Sequence, residues 1–181
     1  NLEKSCKNML KRKIINELVK WKQESSNKAL LIKGARQIGK TTIVRQFAMA
    51  HYKNMVEINF EQMPMAKQAF EGNLDARTIL INLSAMGFGP LEPGQTLIFF
   101  DEIQACPKAR TAIKFLVEDG QYDYIESGSL LGINYKDVSS YPVGFERELD
   151  MYPLDFEEFL WACNISKDVI ERVLPKFASC A

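Results

Sequence analysis

Gly34-Ala35-Arg36-Gln37-Ile38-Gly39-Lys40-Thr41-Thr42 is the stretch on which the fold turns. Its two glycines bracket four residues and are followed at once by Lys and Thr. Upstream, Ala29 to Ile32 is a short apolar run of the kind that buried strands show. Downstream, Thr41 to Ala50 carries Ile43, Val44, Phe47 and Ala48 at helical spacing. A strand, a glycine loop and a helix in that order gather backbone N–H groups at the positive end of the helix, where they point at an anion. Residues with a Cβ would obstruct that approach, which is why glycine is needed. The run satisfies G-x-x-x-x-G-K-[ST] without exception, a match expected by chance in about one in a hundred chains of this length from ordinary glycine usage. The pattern is that of a phosphate-binding loop: Gly34 through Thr42 cradle the phosphates, Lys40 reaches the β- and γ-phosphates, and the Thr41 hydroxyl ligates Mg²⁺.

About sixty residues further on, Leu97-Ile98-Phe99-Phe100-Asp101-Glu102 joins an apolar strand to two carboxylates. Ligand crevices in parallel sheets open at such strand ends. Asp101 suits a residue that holds Mg²⁺, directly or through water, and Glu102 suits the base that orients and polarises an attacking water. The pair also discriminates between nucleotides. A GTPase wants Gly three residues after the Asp, where Gln104 stands, and an Asn-Lys-x-Asp base reader, a pattern that Asn27-Lys28-Ala29-Leu30 fails. Adenine is the expected base, so the implied cofactors are ATP and Mg²⁺.

The rest of the chain supplies the frame. Residues 8 to 22 place Leu10, Ile14, Ile15, Leu18 and Trp21 on one face of an amphipathic helix. Met55 to Phe60 reads as a second strand, and helical stretches follow around Met65 to Phe70 and Ala76 to Leu83. Thr96 to Phe100 is the third strand, Lys108 to Glu118 a helix, and Tyr122 to Glu126 a fourth strand. Ser127 to Val143 reads as a loop, Arg147 to Tyr152 as a final strand, and Asp155 to Trp161 as a helix. This alternation predicts a three-layer α/β domain built on a mainly parallel five-stranded sheet flanked by helices.

Composition narrows the class. The 181 residues carry 23 Lys and Arg against 23 Asp and Glu, so no overall field draws the chain to nucleic acid or anionic lipid. Cys6, Cys106, Cys163 and Cys180 form no paired spacing and His51 is the single histidine, which argues against a structural zinc site and a disulfide framework. The Asn82 to Ser84 and Asn164 to Ser166 triplets read as chance glycosylation patterns. No apolar run approaches a membrane span, and the expected setting is soluble and cytoplasmic.

Four motifs, taken together, resemble a family of bacterial and archaeal AAA-type ATPases: the glycine loop, Phe-Phe-Asp-Glu-Ile-Gln, Glu-Ser-Gly-Ser-Leu-Leu-Gly, and Leu-Asp-Met-Tyr-Pro-Leu-Asp-Phe-Glu-Glu-Phe-Leu. The resemblance runs from the first helix to about Ala162 and implies a AAA-like P-loop fold. It implies an ATPase domain over residues 1–162 and, over 163–181, the start of a C-terminal region. Family members continue well beyond that point, so the chain is expected to be a fragment of an ATPase that drives or gates an attached domain. The resemblance also places Ser127 where such ATPases carry a polar sensor of the γ-phosphate, with Ser129 the alternative and a Ser-Gly-Ser turn the other reading of the same residues. Arg147 matches a family arginine that senses or neutralises transition-state charge in cis or across a subunit contact, and a rim salt bridge accounts for it equally. Arg36 either contacts phosphate or projects to solvent. A homo-oligomer or a protein partner is expected, nucleic acid is left open, and the competing reading of the whole is an ATP-binding switch with little hydrolysis. A small-molecule kinase ranks last, because Ser127 to Val143 holds no arginine-rich lid.

Overall fold

The computed structural model describes residues 10–24, 28–129 and 144–165, together with 168, 169 and 172. Its strands are β1 (Ala29–Lys33), β2 (Asn54–Asn59), β3 (Thr96–Asp101), β4 (Asp123–Gly128) and β5 (Glu146–Asp150). Its helices are α1 (Ile14–Gln23), α2 (Lys40–His51), α3 (Ala76–Ala85), α4 (Pro107–Asp119) and α5 (Phe156–Ala162), with 3₁₀ turns at Pro64–Phe70 and Ile103–Ala105. The strands form one sheet in the order β2-β3-β4-β1-β5, and every neighbouring pair is parallel. The expected loop from Ser127 to Val143 lies outside the described residues from 130 onward, and so does most of 163–181. Among the described residues no helix is long and apolar enough to cross a membrane.

Burial explains why the strands read as continuous apolar runs rather than alternating ones. All six residues of β3 are buried, as are four of five in β1, because helices cover both faces of the sheet. Ala29, Leu31, Ile98, Phe100 and Tyr124 face α3, α4 and the longer 3₁₀ turn. Leu30, Ile32, Leu97, Phe99 and Ile125 face α1 and α2, where Leu18, Trp21, Val44 and Phe47 close the second core. Phe60, Phe70, Phe100 and Tyr124 pack ring to ring on the first face, with centroids 5.6 to 6.3 Å apart.

Local chemistry sets the element ends. Asp75 caps α3 by accepting from Thr78 N at 2.9 Å, and Pro107 opens α4 while a left-handed Gly120 closes it. Asp155 and Glu158 form a reciprocal capping box at the start of α5. Two expectations shift. Pro64–Phe70 winds as a 3₁₀ turn, and β4 continues through Ser127 and Gly128, which pair with Ile32 and Lys33. Ser127 is therefore a strand residue, fully buried, and the turn reading fails for it.

The α4 face of the sheet also buries charge. Glu126 on β4 is fully buried beside Glu146 on β5, and Arg110 on α4 donates to Glu146 at 3.0 Å. Burial, with the Glu146 charge next to it, holds the Glu126 carboxyl well above the ordinary range, and burial raises Glu146 as well, against the pull of Arg110. Groups raised in this way bind protons in the folded state that the unfolded chain has released. Stability should accordingly fall as pH rises from about 4.3, the ordinary glutamate value, toward the folded values. Glu126→Gln substitutes a neutral amide for the neutral acid. Denaturant unfolding across pH 5 to 9 should show a shallower decline in the variant than in the wild type, and equal slopes would show that Glu126 is not the group responsible.

Candidate functional site

The switch in strand order brings the site together. The chain leaves β1 in the middle of the sheet, crosses through α2 to the far edge at β2, and returns through β3 and β4. The C-terminal ends of β1, β3 and β4 thus lie side by side, carrying Gly34, Asp101 and Ser127. Gly34 is required by its surroundings: an added Cβ would lie 2.4 Å from the Met151 carbonyl oxygen and 2.6 Å from Ile38 Cδ1. Gly39 is required by its backbone, with φ at 94°, and Gln37 also takes a left-handed conformation, with φ at 63°. Ala35, Arg36 and Gln37 are exposed at the tip, and Thr42 is exposed on α2. Gln37, Gly39, Lys40, Thr41, Thr42 and Glu102 line a cavity of about 300 Å³.

Lys40, the first residue of α2, is 5% exposed. Its amine donates to Gly34 O at 3.0 Å, Ala35 O at 2.8 Å and Ser129 Oγ at 3.0 Å. Burial lowers the affinity of this amine for its proton, and the charges of Glu102 and Asp101 counteract it. Asp101, 4% exposed, accepts from Thr41 Oγ1 and Asn59 Nδ2, each at 3.0 Å, and from Ser127 Oγ. Burial on its own would raise the Glu102 carboxyl. Hydrogen bonds from Gln104 Nε2 at 2.5 Å and Ser129 Oγ at 2.8 Å, with the Lys40 charge, bring it below the ordinary range. Ser129 thus stands between Lys40 and Glu102, accepting from one and donating to the other.

The residues expected from sequence separate into two groups. Lys40, Thr41, Asp101, Glu102, Ser127 and Ser129 converge through these bonds. Arg36 and Arg147 do not. Arg36 meets Glu61 at 3.2 Å on the exposed rim. Arg147 sits opposite Leu30, short of the strand end, and binds Glu24 at 2.5 Å and Glu17 at 3.3 Å. Within this chain it is a salt-bridge residue anchoring α1 to β5. Sequence reasoning missed Asn59, which ends β2 directly opposite Asp101 and also accepts from the backbone N–H of Glu61 and Gln62 at 3.0 and 2.9 Å. The available signal was a polar residue closing a strand, repeated on the neighbouring strand.

The arrangement suits a magnesium nucleotide. Mg²⁺ takes oxygen ligands at about 2.1 Å in octahedral geometry, so adjacent ligands lie about 3 Å apart. Thr41 Oγ1 and Asp101 Oδ2 are 3.0 Å apart. Among the described residues no cluster of three or more His, Cys, Asp or Glu side chains could hold a metal.

Comparison with known proteins agrees with this fold. The Walker-type ATPase Paby2304 of Pyrococcus abyssi superposes with a TM-score of 0.55 at 14% identity, over 87% of this chain and 58% of that one. The RuvB Holliday junction branch migration motor of Thermotoga maritima superposes with a TM-score of 0.50 at 17% identity, over 90% of this chain and 52% of that one. At such identities the likeness shows the fold, and the chain spans little more than half the length of either neighbour. No curated protein gives a significant sequence match. A family model described as an AAA domain matches residues 26–160. The chain therefore belongs to the AAA domain family, as an AAA-type P-loop ATPase domain.

Proposed function

We propose that this domain binds ATP with Mg²⁺ and hydrolyses it, and that the nucleotide state drives or gates a domain attached C-terminal to residues 1–162. The observation that carries the reading is the convergence of Lys40 and Thr41, from the start of α2, and Glu102, just past β3, on one cavity, with Asp101 hydrogen-bonded to Thr41 beside it. Thr41 and Asp101 are the residues that would hold Mg²⁺, which would supply Lewis-acid neutralisation of phosphate charge. The chain's own residues do the rest. Backbone N–H groups of the loop hold the phosphates in place. Lys40, released from its contacts with Gly34 and Ala35, places a positive charge on the transferring phosphoryl group. Glu102, unprotonated at neutral pH, accepts a hydrogen bond from the attacking water and orients it. Ser127 and Ser129 carry hydroxyls from β4 to Asp101 and Glu102, where they register the γ-phosphate.

One observation favours the alternative of a nucleotide-held switch with little hydrolysis. Both Glu102 oxygens are already engaged, by Gln104 and Ser129, so the base must give up a bond before it can meet water. On either reading the partner is a second copy of the chain or another protein, and the setting is cytoplasmic.

Lys40→Ala should abolish ATP binding in calorimetry. Glu102→Gln should keep it and lower phosphate release by about 10²-fold or more. Unchanged release in Glu102→Gln would remove the hydrolase reading and leave the switch. Asn59→Ala, which strips one donor from Asp101, should weaken the Mg²⁺ dependence of ATP binding by about tenfold, as loss of a residue orienting a metal ligand does. A magnesium titration at fixed ATP measures it, and an unaltered midpoint would confine Asn59 to a structural role.

A further inference from the structure

Arg12 belongs to none of the sequence motifs, yet its side chain is 10% exposed and its guanidinium spans three parts of the fold. Nη1 donates to the carbonyl of Ile38, inside the phosphate loop, at 3.1 Å. Nη2 donates to the carbonyl of Tyr152, in the segment between β5 and α5, at 2.6 Å. Nε faces Glu158 Oε2 at 3.2 Å. Glu158 is itself fixed. Its Oε1 accepts from the backbone N–H of Lys13 at 2.6 Å and its Oε2 from that of Asp155 at 3.1 Å, so the acid that orients Arg12 also caps α5.

Gln37 and Gly39, on either side of Ile38, are both left-handed. The Ile38–Gly39 peptide is therefore a point at which the loop could turn over, and its orientation needs an external hold. That peptide is trans, the one cis bond among the described residues being Gly89–Pro90. In a trans peptide the C=O and the following N–H point in opposite directions. A carbonyl held toward Arg12 turns the Gly39 N–H the other way, and Gly39 lines the cavity. We propose that Arg12 is a positioning residue for phosphate binding: by fixing the Ile38 carbonyl it presents the Gly39 N–H to the nucleotide, with Glu158 holding Arg12 in place. The role rests on the nucleotide reading of the loop. It ties the loop to α5, because Ile38, Tyr152 and Glu158 share one guanidinium.

The test uses the full chain, with ATP and Mg²⁺ as the probe and two readouts, calorimetric affinity and the Gly39 amide resonance in ¹⁵N-labelled protein. In the wild type, nucleotide should shift the Gly39 amide downfield as it donates to phosphate. Arg12→Ala should weaken ATP by about tenfold or more, the scale of a lost hydrogen bond to a charged group, and should erase most of that shift. Glu158→Gln removes the charge facing Arg12 and, with one acceptor oxygen in place of two, keeps one of the two backbone contacts; it should cause a smaller change of the same kind. The double variant should then lose less than the product of the two single effects. A folded Arg12→Ala with wild-type affinity and a wild-type Gly39 shift would overturn the proposal and make Arg12 a staple between α1 and α5. If Arg12→Ala does not fold, Arg12→Lys and Glu158→Gln decide by the same readouts, and wild-type behaviour in both overturns it. Absence of ATP binding in the wild type would be a different failure, that of the nucleotide reading itself.

Discussion

The buried carboxylate of Asp101 constrains everything around it. A carboxylate taken out of water at the end of an apolar strand is costly unless its oxygens are hydrogen-bonded, and here the donors come from three separate elements. Thr41 reaches in from the first turn of α2, Asn59 from the end of β2 and Ser127 from the end of β4. Those donors can meet at one point only if β2 and β4 flank β3 and α2 rises from β1 across the same edge. The strand order β2-β3-β4-β1-β5 satisfies that requirement. Replacing the carboxylate with an apolar group would relieve the desolvation cost and would also leave three polar groups without their common acceptor. On the proposed nucleotide reading the charge brings the parts of a cation site into register, with Thr41 Oγ1 and Asp101 Oδ2 already 3.0 Å apart.

Much of this was legible in the sequence because it follows from local rules. The glycine loop declares itself through Gly34, Gly39 and Lys40, and the β3 strand through four apolar residues ahead of Asp101 and Glu102. Buried parallel strands read as apolar runs, so the five-stranded sheet and the helices between its strands could be placed from periodicity alone. What stayed hidden depends on register between distant segments. Asn59 reads as an ordinary strand end until pairing sets it opposite Asp101. Arg12 reads as one of several basic residues near an amphipathic helix until the chain after β5 folds back beside it. Ser127 was readable as a turn because Ser-Gly-Ser favours turns, and tertiary pairing with Ile32 overrides that preference. Arg147 carried two readings, a family arginine near the transition state and a rim salt bridge, and the geometry pairs it with two glutamates on and beside α1.

The loop and its lysine are stabilised by contacts that phosphate binding must replace. Lys40 occupies its buried position by donating to two carbonyls of its own loop and to Ser129, so its charge is satisfied without a ligand. An incoming phosphate offers that amine a charged acceptor in place of neutral ones, an exchange that favours binding because charge-assisted hydrogen bonds are the stronger class. The same exchange frees Ser129 from Lys40. Ser129 also donates to Glu102, so Lys40 and Glu102 are linked through one hydroxyl.

The left-handed backbone at Glu102, with φ at 53° and ψ at 50°, accounts for how two consecutive acids come to share one site. In an extended strand, neighbouring side chains point to opposite faces. Asp101 follows Leu97 and Phe99 on the α2 face of β3, and a regular continuation would send Glu102 to the α4 face, away from the cavity. A non-glycine residue in this conformation costs on the order of 1 kcal/mol or more and persists only where its surroundings hold it. The 3₁₀ turn that follows, and the bonds from Gln104 and Ser129, provide that hold. The result is a matched pair of contacts: Ser127 and Ser129, two apart on the β4 side, meet Asp101 and Glu102, one apart on the β3 side. Without the left-handed residue the alternation of the strand would separate Asp101 from Glu102, and Asp-Glu would be a strand end with two divergent charges.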